Sequence, residues 1–255
     1  MDNYCICLQS LIPVRNNPSE TSEMVTQILF GELYKIKEIE GNWVQVETIN
    51  DQYQGWIDKK LVVALTHNEK DKIQKTKKII TSNSLSIIKN AGNKFKIPIV
   101  GGSEIYCTSE NEMKIGDVTF TFQEKELTLN IAIDELAKQY INAPYLWGGK
   151  SYLGIDCSGL MQVIFKSHGV LLPRDASEQA KVGTNISFTH EAKTGDLAFF
   201  DNVDSQIIHV GMFLDEKTII HASGWVRIDP IDHQGIYKHE DKKYSHKLRI
   251  IKRII

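Results

Sequence analysis

The chain has 255 residues, of which 42% are hydrophobic, and its 30 basic and 32 acidic residues give a formal net charge of −2. This composition is typical of an ordinary globular protein with one large domain or two to three small ones. The near balance of charge argues against a basic surface that binds nucleic acid or an anionic membrane.

The N-terminal stretch MDNYCICLQSLIPVRNN has no basic region followed by a long apolar core, which a secretory signal requires. No run approaches the ~20 apolar residues of a membrane span. We therefore predict a cytoplasmic location, with neither a membrane nor a nucleic acid as partner.

Residues 1–65 are predicted to form a small all-β barrel of the SH3-like kind. In NWVQVETI the apolar Val44 and Val46 alternate with polar residues, which is typical of a half-buried strand. Gly31 is predicted to lie in a bend, and a short strand is predicted after Gly55. Short strands separated by turns favour a barrel over a sandwich.

Residues 66–78, THNEKDKIQKTKK, are polar, charged and without period, and we interpret them as a linker. Residues 79–126 contain further strand-like runs, SIIKN, KIPIVGGSEIYC and IGDVTFTF, separated by glycines. Their length and texture predict a second, diverged copy of the first barrel.

Residues 127–255 are predicted to form an α+β domain, with helices first and an antiparallel sheet after them. NIAIDELAKQYINAP predicts a helix that ends at Pro144. GIDCSGLMQVIFKSHGV predicts a second helix, capped by Asp156 and followed by Gly169 at its C′ position. The runs TGDLAFFD and IIHVGMFLDEKTIIHASG predict strands, the second of them a hairpin.

The four cysteines are scattered and contain no C-x-x-C pair, so neither disulfides nor a zinc site is predicted. Cys5, Cys7 and Cys107 are expected to pack as small apolar residues. Cys157 follows the predicted cap Asp156, so it lies in the first turn of a helix, where free N–H groups and the macrodipole favour a thiolate. A core cysteine at a helix start is the alternative.

His209 and His221 lie on the two predicted strands of the hairpin. Centring the turn near Asp215 places the two histidines directly opposite each other on one face, with Cβ atoms ~5 Å apart. One imidazole is then able to hold the other in a chosen tautomer, and a base oriented in this way beside a cysteine is the arrangement of a catalytic triad. The other six histidines are expected to have surface or structural roles: His67, His168, His190, His233, His239 and His246.

The blocks YLWGGKSYLGIDCSGLMQVIFKSHGVLLPRDASEQ, TGDLAFF, HVGMFL and IIHASG resemble the NlpC-type cysteine peptidases, papain-like enzymes that cut bacterial peptidoglycan peptides. The resemblance covers residues 130–251. The N-terminal pattern VRNNPSETSEMVTQILFGELYKI…NWVQVET…GWI is similar to a bacterial SH3-like domain. The whole layout resembles γ-D-glutamyl-L-diamino-acid endopeptidases with two SH3-like domains before an α+β papain-like catalytic domain.

This resemblance implies Cys157 as nucleophile, His209 as base and His221 as third polar residue. It also implies a set of residues that bind a substrate with a free N-terminal L-alanine amine: Tyr145, Asp156, Ser158 and Asp175 in the catalytic domain, with Glu23 and Tyr53 from the first SH3-like domain. Relatives often carry serine where this chain has Ala176, so one hydrogen bond to the amine is missing.

Several of these residues have a competing structural interpretation. Asp156 and Asp175 are both plausible helix caps, and Arg174 is expected to pair with an acid. Trp147 either lines the cleft or packs in the core, and core packing is slightly favoured. Asp196 is expected to make a turn contact.

The resemblance implies hydrolysis of the bond between γ-D-glutamate and an L-diamino acid in recycled murein peptides, by a monomer that needs no metal or other cofactor. The β modules are then expected to act as a size filter that admits only short peptides. Two alternatives stay open at this point: an amidase or acyltransferase with a wall or lipid substrate on the same scaffold, and a catalytically silent peptidoglycan-binding protein. The sequence does not distinguish lysine from diaminopimelate in the substrate.

Overall fold

The computed structural model describes residues 3–255, which divide into two compact units. The N-terminal unit contains the residues up to Asn130 together with Trp147–Tyr152. The C-terminal unit contains Ile131–Leu146 and Leu153–Ile255. Within the described residues, none of the helices has the length and apolar character needed to cross a membrane.

The N-terminal unit is built mainly from short strands and has two helices. Its strands are β1 Tyr4–Ile6, β2 Leu11–Arg15, β3 Met24–Leu29, β4 Leu33–Glu40, β5 Trp43–Thr48, β6 Gln54–Asp58, β7 Lys77–Ile80, β8 Leu85–Asn90, β9 Lys96–Val100, β10 Glu104–Cys107, β11 Glu112–Ile115, β12 Val118–Thr121 and β13 Lys150–Ser151. Its helices are α1 His67–Lys75 and α2 Glu124–Leu127, and a 3₁₀ turn covers Lys59–Leu61.

The first six strands form one antiparallel sheet in the order β1-β4-β5-β6-β2-β3. The predicted alternation in β5 is confirmed, since Val44 and Val46 are buried while their neighbours are more exposed. Gly31 lies in the predicted bend between β3 and β4 with φ of +78°, a conformation that favours glycine. The predicted strand near Gly55 is β6, and it includes Gly55 itself.

Residues 66–78, interpreted from the sequence as a linker, contain the helix α1, which the sequence analysis did not predict. Thr66 caps α1 in a reciprocal capping box, in which its side chain accepts from the Glu69 N–H and the Glu69 carboxylate accepts from the Thr66 N–H. The helix buries Ile73, its one strongly apolar residue. The pattern Thr-x-x-Glu was therefore the local signal, and the charge density of the segment obscured it.

The second β-rich segment forms a two-stranded sheet, β10-β7, and a four-stranded sheet, β11-β12-β8-β9. Its core is shared with the first segment, because Ile6 and Phe30 lie in one hydrophobic cluster with Ile88 and Phe120. The phenyl rings of Phe30 and Phe120 meet edge to face, with centroids 5.2 Å apart. The two segments thus differ in strand arrangement, and a second SH3-like barrel stays a prediction, as do the domain boundaries.

The C-terminal unit has the predicted α+β order, with helices before a large antiparallel sheet. Its helices are α3 Ile133–Lys138, α4 Cys157–Ser167 and α5 Ala176–Gln179. Its strands are β14 Gly154–Ile155, β15 Thr184–Ile186, β16 Leu197–Asp201, β17 Ile207–Phe213, β18 Thr218–Ser223, β19 Trp225–Pro230, β20 Gly235–Lys238 and β21 Lys243–Arg253, and a 3₁₀ turn covers Thr189–Glu191.

Helix α3 ends at Lys138, earlier than the sequence pattern predicts. Asn142 adopts φ of +67°, and its N–H then donates to the Val226 carbonyl while the Val226 N–H donates to Ala143. The chain leaves the helix early because these residues pair with β19 instead.

The sheet of the C-terminal unit has the order β15-β21-β16-β17-β18-β19, with β20 paired to β21. Phe200, Phe213, Ile219 and Ile236 belong to a buried cluster formed by these strands. Helix α4 packs against β17 and β18. This packing brings the N-terminus of α4 to the strands that carry His209 and His221.

Candidate active site

Cys157 is the first residue of α4, as predicted. The Asp156 side chain accepts a hydrogen bond from the Gly159 N–H at 2.7 Å and so caps the helix, and Gly169 follows it with φ of +81°. The Cys157 thiol is 7% exposed, and its sulfur accepts hydrogen bonds from the backbone N–H groups of Ser158 and Val210. Val210 follows His209 directly, so α4 presents the cysteine to the strand that carries this histidine.

The Asp156 carboxylate is paired with Arg174, and both groups are buried. One Arg174 N–H group donates to Asp156 Oδ1 at 3.1 Å and a second donates to Oδ2 at 2.5 Å. The same guanidinium donates to Ser158 Oγ at 2.8 Å. The structure therefore brings Asp156, Ser158 and Arg174 together beside Cys157, and Arg174 pairs with an acid as predicted.

The expectation that the helix start lowers the pKa of Cys157 is wrong for this chain. Burial, together with the nearby Asp156 carboxylate, raises the pKa of the Cys157 thiol to about 12. The Val210 N–H, Arg174 and the Ser158 N–H act in the opposite direction but are outweighed. The resting sulfur is consequently a thiol at neutral pH, and a base has to remove its proton.

His209 and His221 lie on one face of the sheet, but the predicted direct pairing is wrong. Residue Gly211 is the one opposite His221, because the hairpin turn is centred on Glu216 and not on Asp215. The histidines are diagonal neighbours, and their side chains still meet, with His209 Nε2 2.9 Å from His221 Nδ1. Diagonal pairs on one sheet face are within reach of long and aromatic side chains.

Asp229 on β19 is hydrogen-bonded to His221, so that three side chains form a connected series. The sequence did not predict a role for Asp229. Its Oδ2 lies 2.9 Å from His221 Nε2, and its Oδ1 accepts from Arg227 Nη2 at 2.6 Å. Burial disfavours the charge on Asp229, but the hydrogen bonds from His221 and Arg227 outweigh burial and hold the pKa of the carboxyl below its ordinary value. Asp229 is therefore an anion that accepts hydrogen bonds.

The carboxylate fixes the positions of the protons along the chain. Because it only accepts, we assign the proton of His221 to Nε2, which leaves His221 Nδ1 to accept from His209 Nε2–H. The unprotonated nitrogen of His209 is then Nδ1. This is the tautomer in which His209 is able to take a proton from a thiol.

Both imidazoles are neutral at pH 7. Burial, with the neighbouring imidazoles of His221 and His246, lowers the pKa of His209 well below its ordinary value. Burial also lowers the pKa of His221, although Asp229 acts to raise it. A neutral His209 is a base whose accepting nitrogen is available at neutral pH.

Tyr145 belongs to the same cluster. Burial, with the negative forms of Cys157 and Asp156, raises the pKa of its hydroxyl, so the group stays an O–H donor at neutral pH. Its backbone is held by a hydrogen bond from the Tyr145 N–H to the Gly224 carbonyl at 2.9 Å and by a bridge to Ile155.

Asp175 is the residue before α5, but its side chain makes no capping hydrogen bond. The interpretation of Asp175 as a side-chain cap is therefore wrong. Its backbone carbonyl accepts from Glu178 and Gln179, while the carboxylate is exposed.

Glu23, Tyr53 and Trp147 all lie in the N-terminal unit. The exposed Glu23 accepts a hydrogen bond from Trp147 Nε1 at 2.5 Å, and the Tyr53 N–H donates to Thr48 Oγ1 at 2.9 Å. Trp147 is 59% exposed, so the favoured interpretation of core packing is wrong. Binding of substrate by Glu23 and Tyr53 stays a prediction.

Several residues were expected to have a structural or surface role, and the structure places one of them, His246, at the candidate site. Asp196 accepts from the Lys193 N–H in a turn, as expected, and also pairs with Arg253. Cys5 and Cys7 lie in the core of the first sheet, and Cys107 packs against the second cluster. The exception is His246, whose imidazole stacks on that of His209.

Comparison with known proteins gives the family of the site. Residues 142–244 match the NlpC/P60 family, and residues 14–60 match the bacterial dipeptidyl-peptidase SH3 domain. The chain carries an NlpC/P60 domain behind an SH3 domain. The resemblance drawn from the sequence blocks around Cys157, His209 and His221 is thereby confirmed.

Two curated relatives span most of the chain. A protein of Bacillus cereus named gamma-D-glutamyl-L-lysine dipeptidyl-peptidase is 27% identical over 248 residues, covering 85% of this chain and 73% of its own. Dipeptidyl-peptidase 6 of Lysinibacillus sphaericus is 29% identical over 250 residues, covering 85% and 88%. The crystal structure of an NlpC/P60 family protein from Bacillus cereus has the same fold, with a TM-score of 0.83 and 19% identity over 98% of this chain and 99% of that one.

Proposed function

We propose that this chain is a cysteine peptidase that hydrolyses the bond between γ-D-glutamate and an L-diamino acid in murein-derived peptides with a free N-terminal L-alanine. The observation that carries the proposal is the hydrogen-bonded chain Asp229–His221–His209. It ends on β17, and the next residue of that strand, Val210, donates its N–H to the sulfur of Cys157. The NlpC/P60 domain and the names of the curated relatives support this reaction class.

The reaction begins when His209 Nδ1 takes the proton from the Cys157 thiol. The sulfur attacks the carbonyl carbon of the γ-glutamyl amide, and the carbonyl oxygen becomes an oxyanion. His209 then gives the proton to the amide nitrogen, the C–N bond breaks, and the diamino acid leaves as an amine. Water, deprotonated by His209, hydrolyses the remaining thioester and restores the thiol.

The start of α4 supplies a donor for the oxyanion. In the first helical turn the Gly159 N–H donates to Asp156 and the Ser158 N–H donates to the sulfur, so we assign the Cys157 N–H as the oxyanion donor, at the positive end of the macrodipole. The Tyr145 hydroxyl keeps its proton at neutral pH and is our candidate for the second donor. Each such donor contributes about 10²–10³ to kcat in acyl transfer.

Recognition of the free amine is assigned to Asp175, with Asp156 and Ser158 beside it. A buried ammonium group binds only if a carboxylate and further acceptors replace its water. Asp156 pairs with the buried Arg174, and we assign the negative charge that meets the ammonium group to Asp175, which is exposed. Glu23 and Tyr53 are proposed as further contacts from the SH3 domain, and Ala176 has no hydroxyl to add one.

The same amine requirement supports a filter for short peptides, in which the SH3 domain restricts the substrate to a dipeptide on the acyl side. A monomer in the cytoplasm would then act on recycled wall fragments and not on intact peptidoglycan.

Mass spectrometry of the full chain with L-Ala-γ-D-Glu-L-Lys and L-Ala-γ-D-Glu-diaminopimelate tests the reaction. We expect the dipeptide L-Ala-γ-D-Glu and the free diamino acid as products, and no product with Cys157→Ala. N-acetylation of the alanine should suppress cleavage by at least tenfold. Asp175→Asn should abolish the preference for the free amine, while Glu178→Gln on the exposed next turn should keep it.

Cleavage at another bond, or equal rates for free and acetylated peptides, contradicts the proposed substrate. Release of acyl groups from other wall or lipid substrates, with no cleavage of these peptides, would favour the amidase or acyltransferase alternative. Intact peptidoglycan cut as fast as the short peptides would exclude the filter.

A further inference from the structure

His246, which lies outside the residues that match the family, contacts the proposed base directly. It stands on β21, and its ring stacks on that of His209 with centroids 4.2 Å apart and planes inclined by 24°. The edge of His209 that bears Nε2 is bonded to His221, so His246 covers a face of the ring and leaves the edges to other partners.

One neighbour contacts the ring of His246, and another lies close to its backbone. Its Nδ1 lies 2.9 Å from Ser245 Oγ. Gly235 on β20 has φ of +140°, and a Cβ there would lie 1.8 Å from the His246 carbonyl oxygen. The missing side chain at Gly235 therefore lets β20 run closely along the backbone of His246.

His246 also lines an open cavity of about 650 Å³. The lining includes Val203, which is 99% exposed, so water reaches the cavity. His209 is 5% exposed and is not among the lining residues of this cavity. His246 therefore contacts the buried base and also borders a cavity that water enters.

We propose that His246 is a positioning residue, which covers one face of the His209 ring and so keeps that imidazole shielded from water and neutral. The role rests on the proposed function, since it presupposes that His209 acts as the base. It requires a flat ring at position 246 and does not require a charge there.

Several other groups face this cluster. His221 on β18 and Phe200 on β16 also contact the His209 ring. Asp229 and Arg227 on β19 and Lys238 on β20 act on His221, and Lys238 also disfavours a charge on His246. Burial lowers the pKa of His246 to about 4, so near neutrality it is an uncharged cover.

The expected pH dependence is set by the protonation state of His209. His209 has to be neutral to accept a proton, so a depressed pKa preserves activity as the pH falls. Removal of the cover by His246→Ala or His246→Asn admits water to His209. The pKa of His209 should then rise toward the ordinary imidazole value of ~6.5.

The test follows the side-chain ¹⁵N signals of His209 by NMR titration of the full chain, with the signals assigned through His209→Asn. We expect His246→Phe to keep the low pKa of His209, because phenylalanine preserves the flat apolar cover. His239→Ala, which removes an exposed histidine, should leave the titration unchanged. The acid limb of kcat/KM should shift with the pKa of His209 in each variant.

The proposal is overturned if His209 titrates alike in wild type, His246→Ala and His246→Asn, or if His246→Phe shifts its pKa as far as His246→Ala does. The NMR readout does not depend on peptide cleavage. Absence of cleavage in wild type, with the expected titrations intact, would contradict the proposed function and not the role of His246.

Discussion

Asp229 determines which nitrogen of His209 carries a proton, because a carboxylate accepts hydrogen bonds and cannot donate them. In Asp229→Asn the amide is able to donate to His221 Nε2, which moves the His221 proton to Nδ1. His209 would then accept at Nε2 and carry its own proton at Nδ1. We expect kcat to fall by about 10²- to 10⁴-fold, which steady-state kinetics will measure.

Asp204→Asn is the matched control, since Asp204 lies in an exposed loop of the same unit. Its kcat should equal that of wild type. Near-normal kcat in a folded Asp229→Asn variant would show that the proton chain does not act in catalysis.

Arg174 compensates the buried charge of Asp156, so Arg174→Met should lower the free energy of unfolding by about 3–5 kcal/mol. Lys181→Met removes one side of an ion pair with Glu178 in which both side chains are exposed, and should cost at most about 1 kcal/mol. Urea denaturation measures both values. The double change Asp156→Asn with Arg174→Met should recover part of the loss, and the absence of any recovery would mean that the cost is one of packing.

Site residues that lie in local sequence motifs were predictable from the sequence. Cys157 follows a capping residue, and His209 and His221 share one hairpin, so short-range patterns suffice to bring them together. Asp229 and His246 come from β19 and β21, and placing them requires the strand order of the whole sheet. The raised pKa of Cys157 follows from burial, which no local pattern reports.

Among the elements, strands with a clear alternation were predictable and elements decided by tertiary pairing were not. The alternation in β5 places Val44 and Val46 correctly. The hairpin register shifts by two residues because the Asp215 side chain accepts from the Lys217 and Thr218 N–H groups, which fixes a turn centred one residue later. Helix α3 is short because its last predicted residues pair with β19.

The segment around β13 gives a prediction about one glycine. Gly148 has φ of +78°, and a Cβ there would lie 2.3 Å from the Met24 carbonyl oxygen. Gly169 has φ of +81° with no atom within 4 Å of such a Cβ. Both alanine variants carry the strain of the left-handed region, about 1–2 kcal/mol, but only Gly148→Ala also forces two backbones apart.

Gly148→Ala should therefore lower the midpoint of thermal unfolding more than Gly169→Ala does, as measured by circular dichroism. Equal shifts in the two variants would mean that the approach of Gly148 to Met24 contributes nothing to stability.

For the whole molecule, each of the two compact units is made of two separate stretches of the chain. Trp147–Tyr152 belongs to the NlpC/P60 match, yet it clusters with the N-terminal unit. The Lys150 N–H donates to Gln27 Oε1 at 2.7 Å, and Lys150 Nζ lies 3.5 Å from the buried Glu32 carboxylate. Composition and motifs suggest where a domain begins, but they do not reveal that one stretch of the family match clusters with the N-terminal unit.

A fragment of residues 127–255 should accordingly be destabilised, because Lys150 loses the partners that compensate its buried charge. We expect its thermal midpoint to lie below that of the full chain by calorimetry. The control is the same fragment with Trp147–Tyr152 replaced by glycine and serine, which should regain part of the lost midpoint. A fragment as stable as the full chain would contradict the importance of these contacts.

The position of Trp147–Tyr152 also limits how such proteins are able to exchange modules. A hybrid joined at residue 127 would keep Trp147–Tyr152 but would lose the N-terminal residues that this stretch contacts. Lys150 and Trp147 would then lack the acids they contact here, Glu32 and Glu23. A functional hybrid has to transfer this stretch with the SH3 part, as a second and separate insertion. The N-terminal unit is therefore made of two segments of the chain, and both would have to be exchanged together.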